Sequence, residues 1–372
     1  MTHDFVSVTV CVRNGAQWVD QCLEALTQQT YESFEVIVVD DGSTDQTSSI
    51  LKKWDDSNGV RGAPVHILRQ DAKGLSAARQ YALQHAKGSW IAITDIDVRP
   101  EPNWISQMIK AYNDSSDEEH IVALTGRTMF GYESDPVSLL RAMEIDRKYS
   151  SRSRYSTLAN GPCSMFKREK LEEIGGFDPD WFHAEDMEVS LKLILSGGNI
   201  LYVADAIVHH VPETGLKRFL SKRLRDARAH VRIMRQYPRR NRINISFDFL
   251  GSSVPVLITS MCMYAAITML SLFFLQEGAE FDFSIPSSFN HPIMIIVLCL
   301  FITTEFFLWS GPLGSVHIQS LKKSKRSRLM TSMSIRCIVL CWGTALILGV
   351  FFGYSDALFA KNGHHRLFSR QS

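Results

Sequence analysis

The chain has no long apolar run in its first 240 residues, and no basic, apolar leader at Met1–Asp4. Without a secretory leader, the N-terminal body is expected to stay in the cytosol. Its seven cysteines form no CxxC pair and no His-rich cluster, which excludes a disulfide framework and a zinc site and fits a reducing compartment. No GxGxxG follows the first apolar run, where Arg13-Asn14-Gly15 stands instead, and no GxxxxGK[ST] occurs anywhere. Dinucleotide oxidoreductases and P-loop nucleotidases are thereby disfavoured. With 45% hydrophobic and 21% charged residues in 372, the chain is neither wholly disordered, collagenous nor a simple coiled coil.

Net charge is also scarce, at +1, but it is unevenly spread. Leu216 to Arg242 carries eleven Lys/Arg against one acid, Asp226, and Leu321 to Arg328 adds five bases and no acid. The remainder is net acidic. An acidic body with short basic belts is not a nucleic-acid binder; it suits a body held against an anionic membrane. Three stretches are apolar enough to cross one: roughly Phe249–Leu275, Pro292–Trp309 and Met330–Phe352. The positive-inside rule puts both basic belts in the cytosol and the acidic loop with Glu277, Glu280 and Asp282 outside. Three crossings leave the tail outside as well, which Lys361, Arg366 and Arg370 oppose. Glu305 and Arg336 fall at similar depth in the last two stretches, so an intramembrane ion pair is expected.

Residues 1–210 alternate between strand-like and helix-like patterns. Phe5–Val12, Phe34–Asp40, Val65–Leu68 and Trp90–Thr94 read as buried strands, and Trp18–Gln29, Asp45–Trp54, Leu75–Ala86 and Asn103–Asn113 as helices. This predicts an α/β sandwich with a mostly parallel sheet, whose ligands bind beyond the carboxyl ends of the strands. Two acidic motifs stand there: Val39-Asp40-Asp41-Gly42-Ser43-Thr44-Asp45, and Thr94-Asp95-Ile96-Asp97. Asp40 and Asp41 suit a ribose or base N–H, or else a tight turn with an N-cap. Strand alternation would turn Asp95 and Asp97 to one side, where hard oxygen ligands take Mg²⁺ or Mn²⁺.

Taken together, Ser7 to Asn14, Val38 to Asp45, Gly74-Leu75-Ser76-Ala77-Ala78-Arg79, Thr94 to Asp97, Gly175-Gly176-Phe177-Asp178, Glu185-Asp186 and Val208-His209-His210 resemble the family 2 glycosyltransferases of GT-A fold. The basic segment and apolar tail resemble the membrane-bound subgroup typified by succinoglycan-type glucosyltransferases. The resemblance implies a nucleotide-sugar site at Val12, Asn14, Asp40, Asp41, Lys73, Arg79 and Asp95, and a Mg²⁺ or Mn²⁺ site at Asp95, Asp97 and His210. It implies Asp186 as the catalytic base, with Glu185 beside it or in its place. It further implies inverting transfer from a nucleotide-diphosphate sugar to a lipid-linked or glycolipid acceptor at the inner (plasma) membrane, on the cytoplasmic face.

The processive members' QxxRW is absent; Ser221-Lys222-Arg223-Leu224-Arg225 stands in the comparable region, so one sugar per encounter is expected. The expected organisation is a catalytic domain over 1–215, a basic amphipathic interfacial segment over 216–247, a membrane region of about three spans over 248–356, and a tail over 357–372. Rivals are an inactive membrane-anchored sugar-binding scaffold, opposed by the intact acidic set, and a nucleotidyltransferase, which would carry a Gly-rich loop after the first strand.

Overall fold

The computed structural model describes residues 4–55, 63–241, 248–277 and 292–361. The expectations for Glu280, Asp282, residues 242–247 and the tail from 362 onward fall outside the described residues.

The N-terminal unit begins with β1 (Val6–Val12), α1 (Val19–Thr27), β2 (Phe34–Asp41), α2 (Thr47–Asp55), β3 (Val65–Gln70), α3 (Leu75–His85) and β4 (Trp90–Asp95). It continues through β5 (Val98–Pro100), α4 (Trp104–Asn113), β6 (Ile121–Phe130), α5 (Pro136–Ser150), β7 (Tyr155–Ser156) and β8 (Ser164–Lys167). α6 (Arg168–Glu173), α7 (Glu185–Leu195) and β9 (Asn199–His210) complete it. The sheet order is β3-β2-β1-β4-β8-β6-β9-β5, with β7 beside β9. β3, β2, β1 and β4 are parallel, as the sequence predicts. The other half is mixed, because β8 runs against both β4 and β6, and β5 against β9.

Alternation along the strands builds two cores. Val6, Val8, Val10, Val36 and Val38 face α1 and α4, where Leu23, Leu26, Trp104 and Met108 are fully buried. Ile37, Val39, Ile91 and Ile93 face α3 and α7, closing on Phe166, Phe177 and Val189. Each fully buried large side chain contributes roughly 1.5–3 kcal/mol, which makes the sheet a rigid floor. Register then fixes its rim: Val12 stands opposite Asp40, and Cys11 opposite Asp95.

Beyond the sheet come α8 (Leu216–Gln236), α9 (Asp248–Glu277), α10 (Pro292–Trp309), α11 (Gly311–Lys323) and α12 (Arg328–Phe359). α9, α10 and α12 are long and apolar enough to span a membrane. A third core joins these helices to α5: Val137, Leu140 and Met143 pack with Phe219, Leu313, Ile338 and Trp342. Ion pairs reinforce the junction, from Arg141 to Glu144 and Glu213 and from Lys222 to Glu213. On α8, Phe219, Val231 and Ile233 are buried in protein rather than turned to lipid. The eight Lys/Arg of the same helix are divided: Arg218 and Arg225 reach the cleft, Arg228 pairs with Asp356, and Arg223 and Arg232 are buried against Asp226 and Trp181.

The Glu305–Arg336 pair forms as expected, with Arg336 donating to both carboxylate oxygens (2.6 and 2.9 Å). Trp309 Nε1 donates to Glu305 as well, at 2.8 Å. Glu305→Gln or Arg336→Gln alone is expected to lose about 1–3 kcal/mol, since each strands a partner in a poorly solvated setting. The double variant should recover part of that. Thermal unfolding of the three variants in detergent checks this; additive losses would mean the residues do not interact.

Candidate active site

The carboxyl ends of β1 and β2 meet at a cavity of about 870 Å³, lined in part by Val12, Asp41, Lys73, Gly74 and Phe182. Asp40 is committed to the turn below it: Ser43 N–H (2.8 Å) and Ser48 Oγ (2.5 Å) donate to its carboxylate. Asn14, left-handed at φ 53°, accepts from Thr44 N–H at 2.8 Å, while its own N–H donates to Ser43 Oγ at 3.0 Å. It thus staples the loop after β1 to the turn after β2. Asp41 accepts from Gln70 Nε2 (2.7 Å), Lys73 N–H (2.8 Å) and Gly74 N–H (2.9 Å). Of its roughly four acceptor sites, one remains for a ligand. Gly42 has φ +66°, and a Cβ there would lie 2.7 Å from Ala72 N. Gly42→Ala is expected to cost about 1–2 kcal/mol. By pushing the Lys73–Gly74 loop, it should raise the KM for donor more than it lowers kcat, as steady-state kinetics will show.

β4 ends at Asp95, so Asp97 lies in the turn before β5 and not on the strand. The turn, rather than strand alternation, sets the two carboxylates near each other. Asp95 receives Arg79 Nη2 at 3.1 Å. Burial pushes its carboxyl up, and Arg79 opposes that. Asp97 faces His210 Nε2 at 3.5 Å and Arg218 Nη2 at 3.7 Å. His210 stacks on Phe130 with ring centroids 4.2 Å apart, and its Nδ1–H donates to Val211 O at 2.7 Å. Burial disfavours the charged ring, though Asp97 opposes that. With Nδ1–H given to the carbonyl, the neutral ring turns the Nε2 lone pair toward a carboxylate, across a space that suits a cation. Among the described residues no group of three or more His, Cys, Asp and Glu side chains closes on one metal position. A carboxylate–imidazole pair with Asp95 alongside fits an ion that takes its remaining ligands from water and diphosphate, as Mg²⁺ and Mn²⁺ do.

Across the cleft, α7 begins on Ala184, held left-handed at φ 62°. A non-glycine residue in that region is strained, and it aims the first turn of α7 at the cleft. Glu185 accepts Arg79 Nη1 at 2.5 Å, so one buried guanidinium bridges Glu185 and Asp95. Asp186 accepts from Gly161 N–H (3.0 Å) and Met187 N–H (2.8 Å). Burial first, then the charge of Glu185, pushes Asp186 up to about 6. Of the two neighbours, Glu185 is spent on the Arg79 guanidinium, while Asp186 has lone pairs and basicity to offer. A second cavity of about 390 Å³ contains Arg79, Asp95, Asp186 and His210, and it shares Leu75, His183 and Arg225 with the first.

Of the predicted site residues, Val12, Asp41 and Lys73 line the first cavity and Arg79, Asp95, Glu185, Asp186 and His210 the second; Asp97 lines neither, and Asp40 and Asn14 serve the turn beneath. Sequence reading missed Gly161, whose N–H holds Asp186, and His183, which pairs with Asp226 at 2.8 Å. No local pattern marks either. The basic segment was read only as a membrane element, yet α8 sends Arg218 to Asp97 and Arg225 to both cavities.

The sequence matches the profile of Glycosyl transferase family 2 over residues 7–175 and that of Glycosyl transferase family group 2 over residues 119–308. The glycosyltransferase AglE of Haloferax volcanii is 24% identical over 62% of this chain and 75% of its own length. The glycosyltransferase GlyG of Streptococcus pneumoniae is 34% identical over 46% of this chain and 59% of its own. The poly-beta-1,6-N-acetyl-D-glucosamine synthase of Staphylococcus aureus is 25% identical, over 54% of this chain and 48% of that protein. In fold, the chain resembles the mannosyltransferase PcManGT of Pyrobaculum calidifontis, solved with GDP-Man and Mn²⁺. The two align with a TM-score of 0.55 and 20% identity, over 96% of this chain and 88% of the other.

Proposed function

The chain belongs to the family 2 glycosyltransferases, enzymes that transfer sugar from a nucleotide sugar, and on that footing we propose inverting, metal-dependent transfer of one sugar to a membrane-associated acceptor. The observation that carries this reading is the Arg79 bridge, which joins a donor-sized cavity at the strand ends to the cavity holding Asp186. The nucleotide rests on the Val12, Asn14, Asp41 and Lys73 side, with Asp40 and Arg79 fixing the loops that frame it. Asp95, Asp97 and His210 would hold Mg²⁺ or Mn²⁺, which neutralises charge gathering on the departing diphosphate.

Asp186 accepts the proton of the acceptor hydroxyl, whose oxygen bonds to the anomeric carbon from the face opposite the nucleotide. The bond from that carbon to the diphosphate oxygen breaks, and its electron pair leaves with the nucleoside diphosphate. One displacement inverts the configuration. Glu185 acts through Arg79, orienting the cleft. The acceptor is a lipid-linked saccharide or glycolipid, as suits a cleft (residues 1–215) joined by a basic segment (216–247) to apolar helices (248–356). The location is the cytoplasmic face of the plasma (inner) membrane.

The test is a panel of nucleotide sugars offered to membranes carrying the protein with Mn²⁺. Expected is nucleoside diphosphate release matched by a product one sugar longer. Pyrophosphate release would mark a nucleotidyltransferase, a ladder of products a polymerase, and turnover of no donor a binding protein.

A further inference from the structure

α12 is apolar enough to cross a bilayer; its middle packs on α9, where Ser260 Oγ donates to Val339 O, and its second half packs on α8. From Trp342 onward it runs beside α8 in the same direction. Phe219 meets the Trp342 ring edge-on at 5.3 Å. A Cβ on Gly349 would strike Leu224 O and lie 2.7 Å from Ala227 Cβ, and one on Gly353 would lie 2.7 Å from Val231 Cβ. At the far end Arg228 donates to both oxygens of Asp356, at 2.5 and 2.7 Å. α8 cannot follow α12 into hydrocarbon, because it carries eight Lys/Arg and sends Arg218 and Arg225 into the catalytic cleft. The part of α12 before this contact, Arg328 to Trp342, is about 21 Å long, short of the roughly 30 Å of a hydrocarbon core. Were α12 to cross, Asp356 would stand on the opposite side of the membrane from Arg228.

The outward side of α12 has its own pattern. The exposed apolar residues of α12, from Leu329 and Met330 through Ile347, Val350 and Phe352 to Phe359, take up about 200° of its circumference at helical spacing. Ile335, Trp342, Gly349, Gly353 and Asp356 lie opposite and face protein. An apolar stripe of this length is continuous with the exposed apolar surfaces of α9 and α10, and Lys322, Lys323, Lys325, Arg326 and Arg328 stand at its start. Its occupant is the acyl boundary of an anionic leaflet, met side-on.

We propose that α12 lies in the plane of the membrane on the side of the catalytic cleft, its apolar stripe in the near leaflet, leaving only α9 and α10 to enter the bilayer deeply. The chain then makes an even number of crossings. Lys361 and the basic tail residues Arg366 and Arg370 come to the cytosolic side, which removes the conflict that three crossings create. This inference rests on the membrane attachment proposed above.

The experiment uses the full chain with one epitope at its N-terminus and another at its C-terminus, in sealed inner-membrane vesicles of both orientations. Expected is that a protease removes both epitopes from inside-out vesicles and neither from right-side-out ones. Epitopes lost from opposite orientations, in a protein retained after carbonate washing, would overturn this inference alone. Release by carbonate would defeat the membrane attachment and this inference with it. A charge swap adds a second readout: Arg228→Asp and Asp356→Arg should each lower the yield of detergent-extracted folded protein several-fold, and the double variant should restore it. Absence of any rescue would separate the two side chains and count against the placement.

Discussion

Asp186→Asn is expected to leave the protein folded and to lower kcat by roughly 100- to 10,000-fold, the usual contribution of a positioned general base. Asn keeps an oxygen for only one of the Gly161 and Met187 N–H groups, which donate to different carboxylate oxygens, but the rest of α7 still packs as before. It cannot take a proton. Thermal unfolding should therefore show a loss of no more than about 1–3 kcal/mol, for the one N–H group left without its acceptor, while nucleoside diphosphate release collapses. The pH profile carries the same information. The base works ionised, and burial beside Glu185 pushes Asp186 up to about 6. Activity of the native enzyme should accordingly fall as pH drops through about 6, approaching tenfold per unit below it. In Asp186→Asn that acid limb should vanish from kcat/KM. A limb that persists unchanged would assign the titration to another group, and undiminished turnover would remove Asp186 from the chemistry.

The second large effect concerns the cation. Asp97→Asn is expected to reduce transfer by roughly 100-fold or more, and excess EDTA should abolish it in the native protein, with Mn²⁺ or Mg²⁺ restoring activity. Lewis-acid stabilisation of a leaving diphosphate is worth several kcal/mol, and each 1.36 kcal/mol is about tenfold in rate. Asn retains one oxygen opposite His210 Nε2 but loses the charge. High Mn²⁺ should thus recover part of the variant's rate, a titration in which a structural defect would not respond. Full activity of the native enzyme in EDTA would eliminate the metal-dependent mechanism.

The parallel half of the sheet was legible because buried strands are unbroken apolar runs. Val6–Val12 and Phe34–Asp41 could hardly be anything else, and the acids that end them sit where ligands of such sheets bind. The mixed half was not legible: β5 has three residues and β8 four, too short for any period to show. α11 was not anticipated, because its Gly311-Pro312 start and polar content mask thirteen residues of helix. At the site, residue types were readable but their commitments were not. Nothing in the sequence shows that Asp40 is consumed by Ser43 and Ser48, or that Arg79 takes Glu185 while Asp186 is held by backbone N–H groups. α8 shows the limit most plainly. Its amphipathic pattern was correct, but what covers its apolar side lies more than a hundred residues later.

That separation has a consequence in time. Arg228 and Asp356 are 128 residues apart, and a ribosome adding about 5–20 residues per second needs roughly 6–26 s to cover the distance. Throughout that interval the helix that carries Arg218 and Arg225 to the cleft lacks its flank, and Ala227 and Val231 have no glycine groove to enter. The sheet can close early, but the cleft is finished only when the final helix leaves the exit tunnel. A chain cut before Trp342 would thus keep the sheet but leave the α8 wall of the cleft without its flank.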